Sequence, residues 1–208
     1  MRRWLQYGGF AAGIVLIVFG VVAIAMGANG RSTVRDNLSQ EKIVGSADMT
    51  PALIAGEAKA AGLTNVSLPT CSVAGVTITN GTQARCFASY MRIHALEASG
   101  GQTYSEMARY ATTDGKGTND KAAALKSDSG QPLDNPVRAV WISETAFATA
   151  LNVSYMAEQL ALFGIVVGIA LLLSGIGFII LAAYGMVRLA TAAVKGTEPA
   201  VAKTPAIA

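Results

Sequence analysis

Cysteine and histidine are the side chains whose chemistry is most readily tuned near neutral pH. This 208-residue chain has two cysteines, Cys71 and Cys86, and one histidine, His94. Two cysteines at this separation can form a disulfide, a redox pair or half of a metal site. No CxxC occurs, and no second histidine or further cysteine stands by to complete a cluster. A disulfide between Cys71 and Cys86 is therefore the expected state, provided the segment meets an oxidising compartment. Closing a loop of about 15 residues stabilises by roughly 3 kcal/mol in the chain-entropy account.

His94 has little sequence support as a base or ligand. A metal site needs several ligands at ordered spacing, and only Glu97 follows closely. Arg92, His94 and Glu97 read as a helix surface and its edge. An enzyme would need His94, Glu97, Tyr90 or Tyr104 and a further acid to converge in one cleft. Residues 114–120 (DGKGTND) glance at a calcium loop, but Leu125 stands where the closing Glu belongs. No GxSxG, phosphate-binding or dinucleotide motif is present. Three NxS/T triplets, at Asn65, Asn80 and Asn152, read as chance. The expectation is a protein with no catalytic, cofactor-binding or metal residues: not an enzyme.

The elements that carry these residues are set by hydropathy. Of the chain, 52% is hydrophobic and only 14% charged, against about 25% charged for an ordinary soluble domain. From Leu160 to Val187, 16 residues are Leu, Ile, Val or Phe, and no charge falls between Glu158 and Arg188. About 20 apolar helical residues cross a hydrocarbon core of about 30 Å. Residues 159–187 therefore read as a transmembrane helix. Residues 7–28 read as another, after Arg2 and Arg3. A secretory signal is the competing reading there, with small residues near Ala28 as the cleavage site. Its apolar run has 7–15 residues, and this one is longer, which favours an uncleaved helix.

Charge distribution gives direction. Between Arg31 and Tyr155 the sequence has 11 basic and 11 acidic residues. The excess lies at the ends: Arg2 and Arg3, then Arg188, Lys195 and Lys203. A neutral middle argues against nucleic acid. Basic residues beside spans stay in the cytoplasm, so both termini are expected there and residues 29–158 outside. Residues 1–6 would be a short cytoplasmic start. Residues 188–208 would be a disordered tail, with Lys195 and Lys203 near anionic lipid.

The small residues of the spans repeat. Gly13, Gly20 and Gly27 recur every seven, with Gly9 four before Gly13. Ala161, Gly168, Gly175 and Ala182 also recur every seven, with Gly164 four before Gly168. Such spacing puts them on one helix face. In lipid, association depends on close backbone approach through small residues. An antiparallel pair packed on these faces is expected, with a homo-oligomer through one of them as the alternative.

Between the spans the pattern is mainly helical with minor β. Val34 and Leu38 suggest a stalk helix to about Lys42, kinked at Asn29-Gly30. Thr50-Pro51 starts a helix over 51–61 that Gly62 stops. Residues 73–79 suggest a short strand and Asn80-Gly81 a turn. Thr82 would cap the next helix, with Phe87, Met91, His94 and Ala98 on one face. Thr103 and Glu106 form a capping box for a short helix to about Ala111. Residues 112–135 read as a loop. Residues 137–142 read as extended, with Ser143 capping one helix that runs through the second span and bears Phe147, Leu151 and Tyr155 on one side.

The stretches TVRDNLSQEKI, CFASYMRIHALEASGGQTYSEM and AEQLALFGIVVGIALLLSGIGF resemble an uncharacterised family of actinobacterial two-span membrane proteins with an extracytoplasmic domain. The resemblance covers most of residues 1–190. It implies an origin and a topology, and no site. The expected role is a non-enzymatic binding or accessory component of the envelope, with membrane lipid and a protein partner or second copy as neighbours. The alternative is a ligand- or lipid-sensing module coupled to a partner through the helix pair.

Overall fold

The computed structural model describes residues 2–196, which form four helices. These are α1 (Arg2–Gln40), α2 (Pro51–Ala60), α3 (Gly81–Ala98) and α4 (Pro136–Gly196). The fold is mainly helical, at 63% helix, with no sheet among the described residues. It divides into two compact units, one of residues 1–28 and 162–208, the other of residues 29–161. Both α1 and α4 contribute to each.

In the first unit the two helices run antiparallel and meet through glycine. A Cβ on Gly13 would lie 2.8 Å from the Gly175 carbonyl oxygen. One on Gly20 would lie 2.7 Å from that of Gly168, and Gly168 and Gly175 face the same obstruction in return. A Cβ on Gly9 would meet the Ala182 methyl at 3.4 Å, and one on Gly164 would lie 3.7 Å from the Ala23 carbonyl oxygen. Gly13, Gly20, Gly27 and Ala182 are buried. Only hydrogen-sized side chains allow this backbone approach. The remaining faces are apolar and exposed: Val18, Phe19 and Met26 on α1, Phe163, Val166, Leu173 and Leu181 on α4. Both helices are long and apolar enough to cross a membrane. Trp4, Tyr7 and Tyr184 are exposed aromatics of this unit, and the Arg188 guanidinium lies over the Tyr184 ring. Such residues suit the level of lipid headgroups.

Several local expectations change. Asn29-Gly30 does not end the helix: α1 continues to Gln40. Gly30 instead faces the Ala161 methyl, which would lie 3.3 Å from a Cβ placed there. The strand over 73–79 reduces to isolated bridges, Val44 with Thr77 and Gly45 with Ala74, because only one short partner pairs with it. Asn80, not Thr82, caps α3 and accepts from the Gln83 N–H at 2.9 Å. The Gln83 side chain accepts in turn from Thr79 N–H. Gly81 is the first helical residue rather than a turn. The Thr103–Glu106 hydrogen bonds form, but they close a turn and no helix follows. Residues 137–142 are helical: α4 begins at Pro136, and Asn135 accepts from Val137 N–H. Proline suits the first helical position and asparagine the cap. At its far end α4 reaches Gly196, past the expected tail start at Arg188. Lys203 and the rest of the tail lie outside the described residues.

The second unit is built around α3. Ala84, Phe87, Ala88, Tyr90 and Ile93 are buried among Leu38 of α1, Ile54 and Ala58 of α2, Leu151 of α4, and Val73 and Ile78 from the segment ahead of α3. A smaller cluster joins Ala95, Met107 and Trp141. The expected α4 face is used: Leu151 is buried, Phe147 meets Phe87 edge-on at 6.1 Å, and Tyr155 lies under Arg85. Glu144, 4% exposed, pairs with Arg92 at 3.0 Å.

Candidate functional site

The sequence-selected residues fall in two places on α3. Cys86, in its second turn, is bonded to Cys71. One turn later, Tyr90 is fully buried and its hydroxyl donates to the Cys71 carbonyl at 2.5 Å. A covalent bond and a hydrogen bond from adjacent turns thus fix the segment ahead of Val73.

That segment in turn fixes residues 43–49. Ile78 N–H donates to the Ile43 carbonyl, Gly45 N–H to Val76 and Val73 N–H to Met49. At Gly45 the two backbones nearly touch: a Cβ there would fall inside the Val73 carbonyl. Asp48 sits at the end of this strip. Thr50 then caps α2 by accepting from Leu53 N–H at 3.3 Å. The helix ends in a Schellman arrangement, with Gly62 at φ +69° and Leu63 N–H donating to Ala58. A short, doubly capped α2 presents Glu57.

His94, one turn beyond Tyr90, meets both acids. Its Nε2 lies 2.9 Å from Asp48 Oδ2 and 3.8 Å from Glu57 Oε2. The three ligand atoms all fall within 4.8 Å of one another. Nε2 itself is out of solvent, and the Asp48 oxygen is its nearest charged neighbour. Asp48 is held below the usual carboxylate range, first by a hydrogen bond from Ser46 and then by neighbours that include the imidazole. Tyr90 is pushed above its ordinary value by burial, with the Asp48 charge adding to the effect.

The structure therefore takes His94 away from Glu97, the neighbour the sequence offers, and places it with two acids from other segments. Nothing local announces this. Asp48 and Glu57 lie 46 and 37 residues before His94, with no spacing rule that ties them to it. Chemically the cluster is one imidazole nitrogen and two carboxylates, a donor set for a divalent cation. Tyr104, proposed as a companion for an enzyme, instead lies under Arg138.

A second feature lies at the α3 N-terminus. Gly81 N–H donates to Glu158 Oε2 at 2.7 Å, and Glu158 also faces Arg31. Arg31, Arg35, Asn80, Thr82 and Gln83 line a polar cleft of about 740 Å³ there.

No protein-family model matches this chain, and neither a curated protein nor a solved structure shows significant similarity to it.

Proposed function

We propose that this chain is a two-span membrane protein of the bacterial envelope. In this reading both termini are cytoplasmic, residues 29–158 lie outside, and the role is non-enzymatic: binding or supporting another envelope component. The resemblance to two-span actinobacterial proteins points the same way. The observation that carries the binding role is a stripe on α4. Ile142, Ala146, Thr149, Val153, Met156 and Leu160 are all exposed, and they follow the alternating four- and three-residue spacing of a helix–helix seam. Val153 and Met156 are 58% and 63% exposed, more than isolated surface apolar residues require. The occupant of the seam is another helix, from a second copy or a partner. Cysteines placed at Val153 or Met156 are expected to cross-link in native membranes, to a copy or to a copurifying protein. Repeated isolation as a monomer after mild solubilisation, with no cross-link at either position, would overturn the reading.

A second reading, a sensing module for an anionic ligand or lipid, draws on the cleft at Arg31 and Arg35. Binding of short-chain phosphatidylglycerol that is weakened at least tenfold by Arg31→Ala with Arg35→Ala supports it. Equal binding by the variant removes it.

A further inference from the structure

We infer that Asp48, Glu57 and His94 form a binding site for a divalent transition-metal ion of the zinc class. The inference stands apart from the membrane-partner reading, since it concerns one cluster within one unit.

Three observations carry it. First, the donor set fits. Zinc takes imidazole nitrogen at about 2.0–2.1 Å and carboxylate oxygen at about 2.0–2.2 Å in a tetrahedral shell, which puts neighbouring donors roughly 3.3–3.5 Å apart. Nε2 stands 2.9 Å and 3.8 Å from the two carboxylate oxygens, distances that bracket this value. The Glu57 side chain, 38% exposed, is free to make the small adjustment. Second, the imidazole nitrogen is aimed at both acids. Nε2 is itself out of solvent and turned to carboxylate oxygens of both acids, at 2.9 Å and 3.8 Å. A metal ion placed between the imidazole and the carboxylates uses the Nε2 lone pair and neutralises the acids. Third, the frame is rigid where it must be. The Cys71–Cys86 bond, the Tyr90 hydrogen bond and the backbone pairing at Gly45 fix the strip that carries Asp48 and the turn below His94. Preorganisation of this kind favours metal binding, because less chain entropy is lost on coordination.

Three protein donors leave a fourth position for water or a ligand from a partner. The competing account is a simple ion pair between protonated His94 and Asp48, which would bind a proton and no metal.

The test uses full-length protein in detergent, without a histidine tag, stripped with chelator and titrated with Zn²⁺ at pH 7.5. The expected result is one Zn²⁺ per chain by calorimetry, a higher midpoint of thermal unfolding, and reversal by chelator. Cobalt(II) should give visible d–d absorption of a four-coordinate site. His94→Ala should abolish binding, and Asp48→Asn and Glu57→Gln should each weaken it at least tenfold. Glu97→Ala, which removes the acid nearest in sequence, should leave it unchanged. Circular dichroism of each variant separates loss of ligand from loss of fold, and Glu57→Gln alters only a partly exposed side chain. Absence of saturable Zn²⁺ binding, or binding of equal affinity in folded His94→Ala, overturns the inference.

Discussion

At the scale of single residues, α3 concentrates the consequences. Tyr90 joins a buried ring to a hydroxyl that serves the Cys71 carbonyl. Tyr90→Phe keeps the packing and leaves that carbonyl without its donor, so a loss of about 1–3 kcal/mol in unfolding free energy is expected by denaturant titration. The same burial sets a pH dependence. The folded phenol titrates above 10.0, so the folded state holds its proton more firmly than the unfolded one. The stability this contributes is complete below pH 10.0 and is lost as pH rises through the folded value. Tyr90→Phe should therefore flatten the alkaline limb of a stability–pH profile. Cys71→Ser with Cys86→Ser should cost about 3 kcal/mol by the chain-entropy account, read as a lower unfolding midpoint than that of unreduced wild type. Two alkylatable thiols in the unreduced wild-type protein would count against the bridge. The cysteine pairing is readable from count, spacing and compartment. The surroundings of His94 are not, because its partners come from separate segments with no local spacing rule between them.

At the scale of elements, glycine positions separate contact from composition. The seven-residue recurrence marks Gly13, Gly20, Gly168 and Gly175, and at each a Cβ would strike the opposing backbone. Gly177 lies on the same helix and has nothing within 4 Å. Gly20→Leu is therefore expected to destabilise the helix pair by about 1–3 kcal/mol through overpacking, while Gly177→Ala is near neutral. Thermal unfolding in detergent, followed by circular dichroism, compares the two; equal effects would show that the small-residue face is not the contact. Helix starts are harder to read than helix faces. Thr82 and Ser143 are sound caps by type, but Asn80 and Asn135 act instead. The Asn80–Gln83 exchange closes one helix end, and Gly81 admits the α4 backbone: a Cβ there would lie 2.6 Å from the Tyr155 Cα. Capping rules name eligible residues; packing against α4 selects among them.

At the scale of the whole molecule, the distribution of charge makes a further prediction. In the proposed topology, basic residues at both ends and a neutral middle would put the termini together on the cytoplasmic side. A cysteine at Ser129, in an exposed loop, should react with an impermeant thiol reagent in intact cells. One at Thr204 should react only after lysis. The reverse pattern would invert the proposed topology, and equal labelling at both sites would refute it. Because the membrane reading rests on apolar length and exposed apolar faces, this labelling also tests whether α1 and α4 cross the bilayer at all.

The sequence alone determined the two long apolar helices, their small-residue faces, the mainly helical middle and the cysteine pair. Each of these is a local or periodic property: hydropathy over 20 residues, a spacing of seven, a helix start at Thr50-Pro51, a short loop between two thiols. Only the tertiary structure decided that Tyr90 locks the Cys71 carbonyl, that Glu158 serves the α3 N-terminus, and that His94 faces Asp48 and Glu57. Those contacts join residues from different elements. They depend on how α3 seats against α2 and against the strip at Gly45, an arrangement that many distributed packing terms fix together and no spacing in the chain records.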